Sequence, residues 1–484
     1  MRVQPSRLTL LFVGSLILAA CGGAAPASPT ANSSPAASTA ASMAPAASAA
    51  GASMAPAASA AGAASGTDEI AAGADPSRTI TGIPINDAVK NAGAITLDVW
   101  LAADYYQTKP VQAAVAEFQK AYPNVTVNLS GYEWGDLQKQ VKLAVGTGTA
   151  PCVSHGHPYA MGAQRFAEDI TDLWQAWGQS EKFMASAVKD VTWKERVYGL
   201  PLDINTLFTI YNKELFKQAG VPEPSANWTF EEARAAAQKL TKDGVYGAAI
   251  SASGWAMSGM VVANGTDLIK EEDGKITANL GDPKVAEVLA TITEMGWKDK
   301  ASPIPPQTPR QTDAPVAIFG AEKAAFYFSG PFDLARIRKE AKPGLIDKVG
   351  TAPLPNGMTG QTDGSVLGGG SLWIPKGCAQ KDAAFEFMKQ FATTSYQMSM
   401  VKDQSRYPVI SELYNSDFLK ADTLAQPFYE QLKTAAPYAL EPYADASKAW
   451  TDAVRAAVDG GSAVQLLQQA QATAQQAISQ AEQQ

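Results

Sequence analysis

The stretch AITLDVWLAADYYQTKPVQAAVAEFQKAYPNVTVNL, residues 94–129, carries the pattern from which the fold is read. In AITLDVWLA (94–102), Leu97, Val99 and Leu101 alternate, as a strand with one buried face requires. VQAAVAEFQKAY (111–122) places Val111, Val115, Phe118 and Tyr122 on one helical stripe. Pro123-Asn124 stops that helix, and VTVNL (125–129) alternates again. DLQKQVKLAV (136–145) supplies a second helix, ended by Gly146. Strand, helix, strand, helix in so few residues predicts an α/β fold with an open, mostly parallel sheet covered by helices.

Downstream the alternation returns. Thr229-x-x-Glu232 predicts a capping box opening FEEARAAAQKL, with Trp228 as its staple. AAFYFSG (324–330) and SLWIP (371–375) read as buried strands. DAAFEFMKQF (382–391) and ASKAWTDAVRAAV (446–458) read as helices, with Trp450 facing the core. Asp273-Gly274 marks a hairpin turn. Its acidic surroundings do not have the spacing of a calcium loop.

Upstream the composition changes. Arg2 and Arg7 precede the apolar run Leu8–Leu18, which is short for a membrane span and ends at Leu18-Ala19-Ala20-Cys21. This reads as a lipoprotein signal peptide over 1–20, with Cys21 as the lipid-bearing residue; an ordinary secretory signal cut near Ala20 is the alternative. Residues 21–78 read as an Ala/Pro/Ser-rich disordered linker. Within it ASMAPAASAAG occurs twice in succession, at 41–51 and 52–62. The repeat lacks the large apolar residues of a helical seam, and Pro45 and Pro56 would break a helix. As a flexible coil, fifty such residues average about 40 Å end to end.

The 484-residue chain carries a net charge of −8, with no basic stripe of the kind nucleic-acid binders use. It has no Gly-x-Ser-x-Gly elbow, HExxH motif, Walker sequence or dinucleotide fingerprint. No cofactor is called for.

Candidate site residues come from the rule that open α/β sheets bind ligands beyond the carboxyl ends of their strands. Asp104, Tyr105 and Tyr106 follow the first strand in this way. His155 and His157, with Tyr159, follow the strand after Cys152. Two histidines suit a metal pair, but three or four ligands are needed and no third His exists, so no metal is expected. Trp255 lies in SASGWAMSG, which reads as a loop. Gly368, Gly369 and Gly370 permit close backbone approach. Arg406 offers a planar fork for hydroxyls, or equally a surface salt bridge.

The order of these landmarks resembles the extracellular solute-binding proteins of family 1, the carbohydrate-binding components of ABC importers, related to maltodextrin-binding proteins. The matching pieces are AEFQKAYPNVTV, VGTGTAPCV, VYGLPLDINTLFTIYNKELFKQAGVPEP, NWTFEEARAAAQKLT, FGAEKAAFYFSGPFD, VGTAPLPNG, GGGSLWIPKG and AAFEFMKQFAT. They come in family order across residues 94–484. Phe208 and Thr209 depart from the small and aliphatic residues usual there, Phe332 stands for a tryptophan, and Cys152 for an aspartate.

The resemblance implies a two-lobed periplasmic-binding-protein-like fold of type II, with crossover strands joining the lobes. It implies GLPLDINT (199–206) as the first crossing and PLPNGMTG (353–360) as the second. The N-lobe is then 94–203 and 360–408, and the C-lobe 204–359 and 409–484. Asp203 and Asn205 fall at the first crossing, and Phe332, followed by Asp333, becomes a platform under a sugar ring. It also implies that Cys152 and Cys378 lie at the same sheet end, away from the cleft, and form a disulfide; two buried thiols are the alternative.

The expected function is that of a substrate-binding lipoprotein. It would capture a sugar or oligosaccharide and deliver it to ABC permease subunits, held as a monomer on the outer face of the membrane by lipid on Cys21. The other readings are a non-sugar solute such as a polyamine or phosphorylated polyol, and an exported carbohydrate-active enzyme.

Overall fold

The computed structural model describes residues 71–306 and 313–483. The described residues fall within one compact unit. The expected signal peptide, Cys21 and the expected linker as far as residue 70 lie outside the described residues.

The first sheet begins with β1 (Ile95–Ala102), β2 (Val125–Tyr132) and β3 (Val153–Gly156). β1 lies between β2 and β3 and is parallel to both. Leu97, Val99 and Leu101 of β1 are buried as their alternation requires, and the helix Lys109–Ala121 packs Val111 and Phe118 inward. A short hairpin, β4 (Thr192–Trp193) with β5 (Arg196–Val197), precedes β6 (Gly199–Thr206), all of whose residues are buried.

The second sheet is built from β7 (Phe208–Asn212), β8 (Tyr246–Ala249), β11 (Ala324–Ser329) and β12 (Val349–Ala352), in the order β12-β7-β11-β8. The hairpin β9 (Ile269–Glu272) and β10 (Lys275–Ala278) turns at Asp273-Gly274, both at positive φ. The capping box at Thr229 and Glu232 is present. Trp228 is buried and donates Nε1–H to the Pro353 carbonyl.

β13 (Ser365–Trp373) joins the halves. It runs antiparallel to β6 over its length, pairs with β3 at Ser371–Trp373, and pairs with β14 (Ala435–Ala436) at its other end. This strand thus lies in the first sheet, directly beside β6, the first predicted crossing. PLPNGMTG, expected as the second crossing, belongs instead to the C-lobe: Asn356 N–H bonds the Trp228 carbonyl, Phe230 N–H the Gly357 carbonyl, and Met358 N–H the Asn264 side chain. Its proline-glycine content reads as a connector, while Gly368–Gly370 disguises β13. Nor does the chain leave the N-lobe at residue 408. Met184 N–H bonds the Val409 carbonyl, and Phe183 bridges Ile410.

Cys152 and Cys378 are joined by a disulfide with Cα atoms 4.9 Å apart. It ties the start of β3 to the segment after β13, at the sheet end opposite His157.

Composition placed residues 71–78 in the linker, yet they form an ordered strap. Asp417 N–H bonds the Ala72 carbonyl at 2.7 Å, Arg78 pairs with Glu412 at 3.0 Å, and Lys182 Nζ donates to the Thr79 carbonyl at 2.8 Å. Ile80 is buried, and its carbonyl accepts from Thr394 N–H. One apolar anchor and a few polar side chains suffice to fasten a segment whose average composition is that of a spacer.

Candidate functional site

The paired strands β6 and β13 put the site together. On β6, Asp203 and Asn205 are two apart and share one face. Both are buried, and each keeps one side-chain oxygen, Asp203 Oδ1 and Asn205 Oδ1, without a hydrogen-bond partner in the protein. The other Asp203 oxygen accepts from Tyr105 Oη at 2.6 Å. Buried polar atoms normally find partners, so two orphan acceptors side by side call for a donor from outside the chain.

Tyr105 comes from the end of β1, as the carboxyl-end rule predicts. Arg406 covers its ring, with the guanidinium carbon 4.7 Å from the centroid. The same guanidinium donates to Asp104 Oδ2 at 2.7 Å and lies 3.7 Å from Asp203 Oδ2. Across the gap it stands 5.7 Å from the ring of Phe332, on the C-lobe. Arg406 is thus neither a surface salt bridge nor a free fork: it joins two carboxylates of one lobe to a ring of the other. Burial holds the Asp203 carboxyl above its ordinary range, against the pull of Arg406. Burial opposes the Arg406 charge, but Tyr105 and the two aspartates raise its pKa in spite of it.

The glycine run on β13 is explained by what lies against it. A Cβ at Gly370 would overlap His155 Nε2, and one at Gly368 would overlap Asn205 Oδ1 and stand 2.5 Å from the Trp255 ring. Gly369 has φ +105° and lies against the Asp203–Ile204 backbone, so its role is in strand packing. Trp255 donates Nε1–H to the Leu367 carbonyl at 3.1 Å. It does not sit on a loop. It is in the first turn of the helix Gly254–Ala263, which Ser253 caps. That helix is buried nearly all round, so it has no polar stripe and its small residues read as irregular.

A second group continues from β3. His157 Nδ1 lies 2.8 Å from Asp190 Oδ1, and Asp190 Oδ2 accepts from Ser371 Oγ at 2.6 Å. Burial disfavours the imidazolium, but the Asp190 charge and hydrogen bond outweigh it and raise the His157 pKa to about 9. His155 is the opposite case. It is enclosed by Tyr105 and Trp134, with ring centroids 4.5 and 4.9 Å away, and neither ring nitrogen has a partner. Burial lowers its pKa to about 3 and keeps it neutral. Tyr159 donates its hydroxyl to the Tyr438 carbonyl at 3.0 Å, linking the helix Pro158–Ala163 to the C-terminal part of the chain.

Two predicted residues stand apart. Tyr106 turns to the other side of its loop, packs over Gly131 and accepts from Gln107. Asp333 is fully buried in the first turn of the helix Phe332–Glu340, bonded to Ser329 Oγ at 2.7 Å and facing Arg336. Burial raises its pKa to about 6. Its partners all belong to the C-lobe, so it braces the turn that presents Phe332. Sequence reasoning passed over Trp134, which follows β2 by the same carboxyl-end rule, and Asp190, whose helix gives no local signal.

The cluster holds aromatic faces from both lobes, two orphan acceptors on a crossing strand and one arginine already neutralised by carboxylates. That is the constitution of a two-lobed solute-binding protein, a site built to grip a solute from both sides. Residues 113–427 match the family of bacterial extracellular solute-binding proteins, and the chain belongs to that family. It is 24% identical over 336 residues to the diacetylchitobiose-binding protein DasA of Streptomyces coelicolor, covering 67% of this chain and 76% of that one. It is 24% identical to the maltotriose-binding protein of Pyrococcus abyssi, over 70% of this chain and 71% of that one. Among solved structures, a solute-binding protein of Thermotoga lettingae bound to α-D-tagatose superposes with a TM-score of 0.71 at 20% identity. The match covers 80% of this chain and 100% of that one.

Proposed function

We propose that this protein captures a neutral sugar or oligosaccharide between its lobes and delivers it to the membrane subunits of an ABC importer. The observation that carries this reading is the pair of orphan oxygens on Asp203 and Asn205, set among Tyr105, Trp134, Trp255 and Phe332. Sugars present hydroxyl donors on their edges and C–H groups on their faces, and such a cluster answers both. The relatives named for diacetylchitobiose and maltotriose support the same class. A phosphorylated ligand finds Arg406 and His157, which Asp104, Asp203 and Asp190 already neutralise. A polyamine finds Asp104 and Asp203 engaged with Arg406. The chain acts as a binding protein and not as an enzyme.

The test is a thermal-shift panel of mono- and oligosaccharides, polyamines and phosphorylated polyols on residues 63–484. A ligand of the folded state alone raises the melting temperature. A saccharide shift is expected; shifts from polyamines or phosphates with none from sugars would overturn the reading. The second part of the proposal is export as a lipoprotein with lipid on Cys21, working as a monomer. Cys21→Ser is expected to release the protein from the membrane fraction, and unchanged membrane association would refute the anchor. Since one acyl chain binds membranes only marginally, stable anchoring calls for more than one on Cys21.

A further inference from the structure

A second groove opens away from β6 and β13. Two hydrogen bonds fasten the helix Pro158–Ala163 and its continuation to the loop after β14: Tyr159 Oη to the Tyr438 carbonyl, and Gln164 Nε2 to the Glu441 carbonyl at 3.0 Å. Beyond Gln164 lies a groove of about 490 Å³, walled on one side by the β4–β5 hairpin and on the other by the C-terminal helix Ala463–Glu482. That volume is in the range of small-molecule sites.

Its lining is specific. Phe166, Trp193 and Tyr198 line it half-buried from the N-lobe, and Tyr443 faces Trp193 from the C-lobe with ring centroids 6.3 Å apart. Glu482 closes one end, pairing with Lys194 at 3.1 Å and accepting from Tyr443 Oη at 3.0 Å. The exposed amide of Gln480 adds a planar donor and acceptor. Arg165 and Lys194 also line this groove; their left-handed φ, 64° and 44°, belong to the turn after the helix Pro158–Ala163 and to the tight β4–β5 turn, which fix the groove's wall.

We propose that this groove is a second carbohydrate-binding site, taking a neutral saccharide. The rings of Trp193 and Tyr198 stack on its C–H faces, while Gln480 and Glu482 bond its hydroxyls. The Lys194–Glu482 pair leaves no net charge at that end to select an ion. The ligand class follows from the groove's own rings and amides. The site stands apart from Asp203 and Asn205.

The probes are maltotriose, lactose and diacetylchitobiose, titrated calorimetrically into the full chain up to millimolar concentration. At least one of them is expected to bind as two molecules per chain. Trp193→Ala removes or weakens one of these by about tenfold or more, as loss of a stacked ring does, and leaves the other unchanged. Asn205→Ala has the complementary effect. Where Trp193→Ala fails to fold, as judged by circular dichroism, Tyr198→Ala replaces it with the same expectation. A single site abolished by Asn205→Ala, two sites both kept in the Trp193 or Tyr198 variant, or no binding by any of the three saccharides overturns the proposal. If the hinge-strand site fails as a sugar site while the groove stands, Asn205→Ala leaves binding intact and Trp193→Ala removes it.

Discussion

Asn205 shows what a single side chain can and cannot reveal. Its place on β6 was readable from GLPLDINT, but its unpaired oxygen was not, because that depends on Gly368 and Trp255 arriving from distant parts of the chain. A hydrogen bond from ligand to such an acceptor contributes about 1.5 kcal/mol, the upper end of the usual range. Asn205→Ala is therefore expected to weaken sugar binding about tenfold, measured by calorimetry; an unchanged Kd would remove it from the site. The same limit separates Tyr105 from Tyr106. Tyr105 bonds Asp203 while Tyr106 packs over Gly131, and a rule that finds the loop does not distinguish the two.

His157 gives a pH prediction. Its folded pKa of about 9 lies above the 6.5 of the free side chain, with Asp190 as the stabilising partner against burial. The folded state thus holds a proton that the unfolded chain releases. The stabilisation is complete below pH 6.5 and is lost as pH rises through about 9. Its size is on the order of 3 kcal/mol. Chemical denaturation at pH 6 and at pH 10 should show His157→Gln much less stable than the parent at the lower pH and close to it at the higher. A difference independent of pH would mean that the pair is not ionic. His155 works in the opposite sense: its pKa of about 3 means that acid below 6.5 charges the unfolded chain first and weakens the fold.

Among the elements, β13 is the least legible and the most consequential. Glycine is depleted in strands, so GGG reads as a loop or hinge, yet all three residues pair with β6. The side chains of His155, Trp255 and Asn205 occupy the space that a Cβ would fill. Sequence reasoning has no access to that crowding. Gly369→Ala combines a disfavoured φ with overlap against the β6 backbone, and is expected to destabilise by about 2–4 kcal/mol. Wild-type stability in a urea titration would show that β6 and β13 yield more easily than their packing implies. The helix Gly254–Ala263 went unread for the reverse reason: burial on every side erases periodicity. β1, β2 and the capped helix at Thr229 were legible because each has one wet face and one dry one.

At the scale of the molecule, the Cys152–Cys378 disulfide closes a covalent loop across a sequence separation of 226. Long loops gain the most from closure, on the order of 2–5 kcal/mol. Reduction, or paired replacement by alanine, should lower Tm by several degrees without abolishing sugar binding, since the bond lies at the sheet end remote from Asp203. Loss of binding with retained stability would contradict that separation. The two-lobed plan was readable from alternating strands and helices together with motif order. Where each lobe begins and ends leaves no compositional break in the chain, because a segment that passes between lobes has the same mixture of residues as the strands beside it.

The strap at residues 71–80 decides which half of the protein is the frame and which is the jaw. Among the described residues, the hydrogen bonds and ion pairs that tie it to the rest of the chain are to Lys182, Thr394, Glu412 and Asp417, on the side of the molecule that carries β1 to β3. Whatever holds the chain upstream of Ala71 therefore holds that lobe, and hinge motion of the kind known for periplasmic binding proteins swings the other one. If the chain is anchored through Cys21 as proposed, a pull on residue 71 is borne by the strap's own contacts before it reaches Asp203, Asn205 or Arg406, and that load and the grip on the solute are mechanically decoupled.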